Sequence, residues 1–345
     1  MIPLTASLCQ SDEHESVENS VWQTELARAI KDPAELLAML GLSAADIPGG
    51  IDTQQAFPQR VPRGYVARMQ KGNPADPLRL QVLPRGQEST IQAGFLRDPV
   101  GDTAATAAPG LLHKYHGRVL LITTGACPVH CRYCFRRHFP YAEHRPGDRQ
   151  WQAAIEYIAA HPEINEVILS GGDPLSLSTP RLSEITDALR HIPHLQRLRI
   201  HSRMPIVLPQ RIDNAFLRWL SELPWQTVLV THCNHANELD TPVLNALAAV
   251  RALGVTLLNQ AVLLKNINDN LSAQCSLSES LFTAGVLPYY LHLLDPVQGA
   301  AHFDVNENAG IALIDAMRCQ LPGFLMPQLV REQAGEPHKT PITRR

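Results

Sequence analysis

The chain has 345 residues, with 45% hydrophobic and 18% charged residues and 30 Lys and Arg against 33 Asp and Glu, a formal charge of −3. This usage is that of a packed globular fold and excludes a disordered, collagenous or extended coiled-coil chain; at roughly 100–200 residues per domain it allows one large domain or two ordinary ones. The near-neutral charge provides no general attraction to nucleic acid or to an anionic membrane. The first twenty residues carry Asp12, Glu13, Glu15 and Glu18 and no Lys or Arg, the reverse of an export or mitochondrial leader. No apolar run approaches the roughly 20 residues of a membrane-spanning helix. A cytoplasmic protein with no nucleic-acid or membrane partner is expected.

In chain order, residues 1–110 read as an N-terminal appendage, mainly helical and irregular. It holds one helical stretch over 22–40, followed by a run that Pro58, Pro62, Pro74, Pro77, Pro84 and Pro99 interrupt too often for long elements. From Gly117 onward, short β-rich runs alternate with segments whose apolar residues recur at helical spacing. Strands are expected at 118–124, 166–170, 196–201, 226–232, 255–262, 286–294 and 324–330. Helices are expected at 151–160, 181–191, 213–223, 241–253, 271–284 and 306–319. Six βα units and a closing strand make an α/β core over 111–330, followed by a C-terminal segment, 331–345.

Such a series either opens into a doubly wound sheet or curls into a barrel. Polar or reactive groups follow nearly every strand: the cysteines after the first, then 171–173, 201–203, 232–235, 259–260, Asp295 and Glu332. In a barrel those loops share one rim around one cavity, whereas an open sheet spreads them along an edge. The expectation is therefore a partial (β/α)6 barrel of the TIM-like kind.

Seven cysteines are an odd count, and three crowd into CPVHCRYC as Cys127, Cys131 and Cys134. That is not the dense, even framework of an exported disulfide scaffold. Structural zinc wants four closed ligands, commonly in two pairs, and Cys9, Cys233, Cys275 and Cys319 supply no second pair. His130 or His138 is a candidate fourth ligand for a small zinc loop, which would make the chain a zinc-stabilised binding module without catalysis. Three thiolates without an obvious fourth suit a 4Fe–4S cluster with one iron left open to a substrate or cofactor.

A CxxxCxxC loop after the first strand of a βα series, followed by SGGDP at 170–174 after the second, resembles the radical S-adenosylmethionine (SAM) superfamily. By itself, SGGDP is equally a tight Gly-Gly turn with Asp173 capping the next helix. The runs RVLLITTGACPVHCRYCFRRHF, LSGGDPLSLS, HSRMPIVLPQRI, THCNHANEL, NQAVLLKNIND, YYLHLLDP and GEPHKTP stand in the order found in the lysine 2,3-aminomutase family. Within it, a chain that stops soon after HKTP most resembles the branch that makes β-lysine for β-lysylation of translation elongation factor P.

The resemblance implies a radical SAM barrel and an isomerase that shifts the amino group of L-lysine from the α to the β carbon. Its cofactors are a 4Fe–4S cluster, SAM and pyridoxal 5′-phosphate (PLP). It implies that Cys127, Cys131 and Cys134 hold the cluster. Gly171, Gly172 and Asp173 meet SAM, with His232 and Gln260 in the same pocket. Lys339 of the KTP motif carries PLP, although a lysine six residues from the chain end reads, on its own, as a solvated tail charge. Arg118 and Lys114 match positions near the PLP phosphate, Arg136 the substrate carboxylate, and Asp295 and Glu332 the substrate ammonium. The partners implied are L-lysine, elongation factor P and its lysyl ligase. Production of free β-lysine is the alternative within the family. His201, Arg203, His235 and Asn237 receive no role.

Overall fold

The structure, a computed structural model, describes residues 20–52, 57–141 and 148–344. Cys9 and the acidic leader lie outside them. Ten strands form one sheet in sequential order: β1 Thr106–Ala108, β2 Leu111–Tyr115, β3 Arg118–Thr124, β4 Glu166–Gly171, β5 Arg197–Ser202, β6 Gln226–Thr231, β7 Thr256–Val262, β8 Leu287–His292, β9 Gln328–Arg331 and β10 Thr340–Pro341. Strands β3 to β9 are parallel; β1, β2 and β10 pair antiparallel at the two ends. Edges β1 and β10 do not pair with each other, so the sheet is an open barrel. All seven expected parallel strands are present.

Helices precede and link them: α1 Val21–Ala27, α2 Pro33–Met39, α3 Arg63–Val66, α4 Pro77–Leu80, α5 Asp148–Ala160, α6 Thr179–Arg190, α7 Met204–Val207, α8 Asn214–Ser221, α9 Thr241–Ala252, α10 Leu271–Thr283 and α11 Glu307–Arg318. Local chemistry starts four of the crossover helices at their observed places. The side chains of Asp213, Asp240, Asn270 and Asn306 accept from backbone N–H groups in the first turns of α8, α9, α10 and α11. Helix α9 then buries Val243, Ala246, Leu247 and Val250, an i, i+3, i+4, i+7 stripe laid on the sheet. Each such apolar side chain contributes about 1.5–3 kcal/mol on burial. Strand β4 is buried along its whole length, as befits a strand covered on both faces.

The single helix expected over 22–40 is two, α1 and α2. The break lies at Asp32-Pro33: a residue before proline avoids helical backbone, and Asp32 stands at φ −92°, ψ 121° with its carboxylate accepting from Ala34 N. Between the two helices Ile30 forms a β-bridge with Val61. The proline-rich run is ordered through packing rather than long elements. Trp22, Ile30, Leu36, Val61, Tyr65, Leu78 and Leu83 belong to the same buried cluster as Leu121, Leu169, Ile200, Leu229 and Leu291 of the barrel.

Candidate active site

A cavity of about 510 Å³ extends from the loops that follow the parallel strands down to Arg118 and Glu166 at the amino ends of β3 and β4, and every site residue expected from the sequence lines it. The cysteine loop after β3 is fixed from both sides. On one side, Arg132 places Nε 2.8 Å and Nη2 2.5 Å from the two oxygens of Glu88, and Arg137 Nη2 lies 2.7 Å from Glu88 Oε2. Burial raises the Glu88 carboxyl, but the two guanidiniums outweigh it and hold the group below its usual range. On the other side, Gly172 N donates to Thr124 O at 2.6 Å and Asp173 N to Ala126 O at 2.8 Å.

That approach requires both glycines. Gly171 sits at φ +120°, where a Cβ would stand 2.7 Å from Thr124 O, and a Cβ on Gly172 would stand 2.3 Å from Ala126 O. Asp173 spends both carboxylate oxygens on the protein. Oδ1 accepts from Leu175 N at 3.0 Å and Ser202 Oγ at 2.7 Å, Oδ2 from Arg203 N at 2.7 Å and Met204 N at 3.0 Å. The SGGDP loop is therefore also the capping turn that its composition allowed, and it docks the cysteine loop against β5.

The three thiols fit an iron–sulfur cluster by donor type: soft sulfur ligands from one loop, each half-buried and lining the cavity. Burial pushes the Cys127 thiol well up, with Cys134, Asp173 and Cys131 adding to it, and the Cys134 thiol up to about 11, with Cys131 adding. Such thiols become ligands when a cationic centre replaces their protons. Among the described residues no group of three or more His, Cys, Asp or Glu side chains is gathered for a single metal ion. His130 and His138 each direct a ring nitrogen to a backbone carbonyl, Pro58 O at 2.8 Å and Gln298 O at 3.1 Å. The zinc-loop alternative thus finds no closed four-ligand set, whereas a polynuclear cluster takes each thiolate on a different iron.

Beside Cys131, Arg203 is held in a buried polar network. Its Nη1 lies 2.7 Å from Cys131 Sγ and 2.6 Å from Tyr133 Oη; its Nη2 lies 2.7 Å from Gln81 Oε1 and 3.0 Å from Glu238 Oε2. His232 and His201 each present a buried Nε2 without a protein partner among the described residues. Burial, with Arg203 adding, lowers His232 to about 3, so it is a neutral imidazole. Burial also lowers His201 well below its usual value, with Arg199 and Lys339 adding. Gln260 lines the same part of the cavity. Orphaned polar atoms on a cavity wall fit a polar ligand such as SAM.

The opposite wall carries charge. Lys339 Nζ donates to Glu332 Oε2 at 2.5 Å, and Lys114 Nζ donates to Glu332 Oε1 at 2.9 Å and to Val100 O at 2.9 Å. Lys114 also forms an ion pair with Asp102 Oδ1 at 2.6 Å, and Arg136 Nε donates to Asp102 Oδ2 at 2.6 Å. The result is a chain of alternating charge, Arg136, Asp102, Lys114, Glu332, Lys339. Burial raises Glu332, but Lys339 and Lys114 more than reverse this and hold it far below its usual range. Asp295 is different: burial, with Glu332 adding, raises its carboxyl to about 7, and Oδ1 has no protein partner among the described residues.

Three expected residues therefore stand in surroundings that the sequence did not indicate. Lys114 is committed to two carboxylates rather than free for a phosphate. Glu332 has both oxygens on lysines of its own chain. Arg118 is free of ion pairs among the described residues and lies over the Tyr115 ring, 4.7 Å from its centroid. Lys339 is brought in by β10, whose Thr340 pairs with Arg331 of β9. A cavity-facing lysine with a free guanidinium on the same wall fits PLP. Sequence reasoning missed Asp102, which reads as a turn residue in GDTAATAAPG and carries no signal. It also gave no role to Tyr290 and His292, whose alternate positions at the end of β8 would have marked them as cavity-facing.

A barrel whose first loop offers three cysteines to a cavity rimmed by a Gly-Gly loop defines the class, and the family model described as Radical SAM superfamily matches residues 121–228. The chain is 50% identical over 322 residues to the L-lysine 2,3-aminomutase of Escherichia coli (strain K12), spanning 93% of this chain and 94% of that protein. It is 48% identical to that of Haemophilus influenzae, over 94% of this chain and 96% of that protein. To that of Clostridium subterminale it is 34% identical, over 93% of this chain and 77% of that protein. The chain belongs to the lysine 2,3-aminomutase family, and is thus an isomerase of the radical SAM superfamily.

Proposed function

We propose that the protein converts L-lysine to β-lysine with a 4Fe–4S cluster, SAM and PLP, and that the product serves β-lysylation of elongation factor P. The observation that carries the substrate reading is the charge layout of one cavity. Arg136 and the carboxylates of Asp295 and Glu332 all line it, which gives the cavity groups complementary to both the carboxylate and the ammonium of lysine. The destination is supported by the resemblance to the β-lysylation branch.

In this reading Cys127, Cys131 and Cys134 hold the cluster. The SAM pocket is formed by Gly171, Gly172, Asp173, His232 and Gln260, in which Asp173 acts through the loop it braces, since its oxygens are engaged. Lys339 holds PLP and Arg118 its phosphate, with Lys114 acting through Glu332. When bound, these groups supply the electron, the hydrogen-abstracting radical and the conjugated nitrogen through which an amino group changes carbon. The protein supplies binding, orientation and exclusion of water. Arg136 offers a planar fork to the substrate carboxylate. Neutral His201 and His232 add no positive charge beside SAM, and the Asp295 carboxyl, raised to about 7, gives up its proton more readily once an ammonium shares the charge.

The test is anaerobic purification and reconstitution, followed by incubation with L-lysine, SAM and a one-electron reductant, with product read by mass spectrometry and NMR. Addition of elongation factor P and its lysyl ligase reads the destination. Expected are an iron–sulfur absorption band, β-lysine, and modified elongation factor P dependent on this protein. Absence of the cluster after reconstitution overturns the chemistry; abundant β-lysine that leaves elongation factor modification unaffected overturns the destination.

A further inference from the structure

Asp102 lies outside every motif, yet its carboxylate is only 2% exposed and forms part of the cavity wall. Its own backbone is anchored: Asp98 accepts from Asp102 N and from Thr103 N, each at 3.0 Å. Oδ2 takes Arg136 Nε at 2.6 Å, the lateral edge of the guanidinium. The terminal edge is nearly unengaged. Nη1 has two contacts at 3.4 Å, to Ser170 Oγ and Gly171 O, and Nη2 has no partner among the described residues. The guanidinium carbon lies 4.9 Å from the centroid of the Phe135 ring, which limits tilting of the plane. Two parallel N–H groups on that terminal edge are the geometry that binds a carboxylate in bidentate fashion.

We infer that Asp102 is a positioning residue for the substrate: by holding Arg136 through Nε, it turns the terminal edge of the guanidinium toward the substrate carboxylate. The inference rests on the role given to Arg136 above. A buried guanidinium without this partner would be uncompensated and would turn to other acceptors. Asp102 also faces Lys114, whose second carboxylate is Glu332, so two limbs leave this one side chain. The two limbs meet opposite ends of lysine and can be separated by ligand choice.

The experiment uses reconstituted holoenzyme and compares the KM for L-lysine with the Ki of 1,5-diaminopentane, which keeps both amino groups and lacks the carboxylate. Asp102→Asn is expected to raise the lysine KM about tenfold while kcat changes less than about threefold, the pattern of lost binding common to ground and transition states. The Ki of the diamine should stay within about twofold, and Asp102→Glu should recover part of the KM. Because Asp102 acts through Arg136, Asp102→Asn combined with Arg136→Gln should bind lysine no more weakly than Arg136→Gln alone. Equal weakening of lysine and diamine in a variant that keeps the wild-type melting temperature and iron content overturns the inference, and so does an unchanged KM. If Arg136→Gln keeps the preference for lysine over the diamine, the role of Arg136 falls and takes this inference with it. If Arg136→Gln abolishes the preference and Asp102→Asn does not, only the inference falls. Melting temperature and iron content, read on the same preparations, identify a misfolded variant, and the selective loss of lysine over diamine has no counterpart in misfolding.

Discussion

Replacing Asp295 with Asn should change how the ligand-free protein responds to pH. Burial, with the Glu332 charge adding, raises the Asp295 carboxyl from 3.8 to about 7. A raised carboxyl means the folded state holds this proton more tightly than the unfolded chain does. Its contribution is therefore favourable below about pH 4 and is lost as pH rises to about 7, above which it is constant. Three units at 1.36 kcal/mol each set a ceiling of about 4 kcal/mol. At roughly 2.1 cal/mol/K per residue, that energy corresponds to about 5–6 °C in Tm for a chain of this length. Asp295→Asn removes the titrating group and keeps the shape. Its melting temperature should gain on that of the wild type by up to about 5 °C between pH 4.5 and 8, with most of the gain complete by pH 7. Differential scanning fluorimetry of both proteins over that range reads the difference curve. Parallel curves would show that the carboxyl is ionised throughout and that the buried, unpartnered oxygen is solvated. The same group makes lysine binding release a proton near pH 6, which calorimetry in buffers of different ionisation enthalpy detects.

The remaining predictions concern other parts of the site. Lys339→Ala should abolish the visible absorption of bound PLP while the iron content per chain stays at the wild-type value, read by spectroscopy and iron assay on one sample; retained PLP absorption would remove Lys339 from its role. Gly172→Ala places a Cβ 2.3 Å from Ala126 O, against backbone rather than the end of a flexible side chain, so one of the two loops must shift. Displacement of the cysteine loop, at a cost of about 1–3 kcal/mol, should show as reduced iron incorporation, and normal loading would mean that the loops need not approach so closely. Glu238→Gln leaves Arg203 buried beside Cys131 without its counter-charge; the expected loss is about 3–5 kcal/mol in chemical denaturation, and a loss below 1 kcal/mol would show that Gln81, Tyr133 and Tyr65, whose Oη lies 3.2 Å from Arg203 Nη2, suffice to hold the guanidinium.

Much of the scaffold was legible because its signals are local. Parallel strands buried on both faces, helices with an apolar stripe, and Asp or Asn at helix starts are properties of ten or fifteen consecutive residues. The Asp32-Pro33 break in 22–40 was equally local and was overridden by apolar periodicity on either side of it. Cys127, Cys131, Cys134 and the Gly171-Gly172 pair were legible as well, since one short loop carries the donors and the next must be glycine to lie against it. Lys339 was different. Nothing near it in the chain distinguishes it from a tail lysine, and only the family resemblance pointed to it.

What the amino-acid order determined alone is therefore the succession of βα units and the cysteine loop that heads it, because backbone periodicity and capping act within a turn or two. The tertiary structure decided which charges meet. Lys114 and Glu332 are 218 positions apart and stand at 2.9 Å, and Arg136 finds Asp102 across 34 positions at 2.6 Å. Those pairings arise because a curved parallel sheet brings its first hairpin and its last strands to the same cavity, and because a buried charge must find a partner wherever the fold supplies one. Asp102, invisible in a stretch of alanine, threonine and glycine, acquires its place only then.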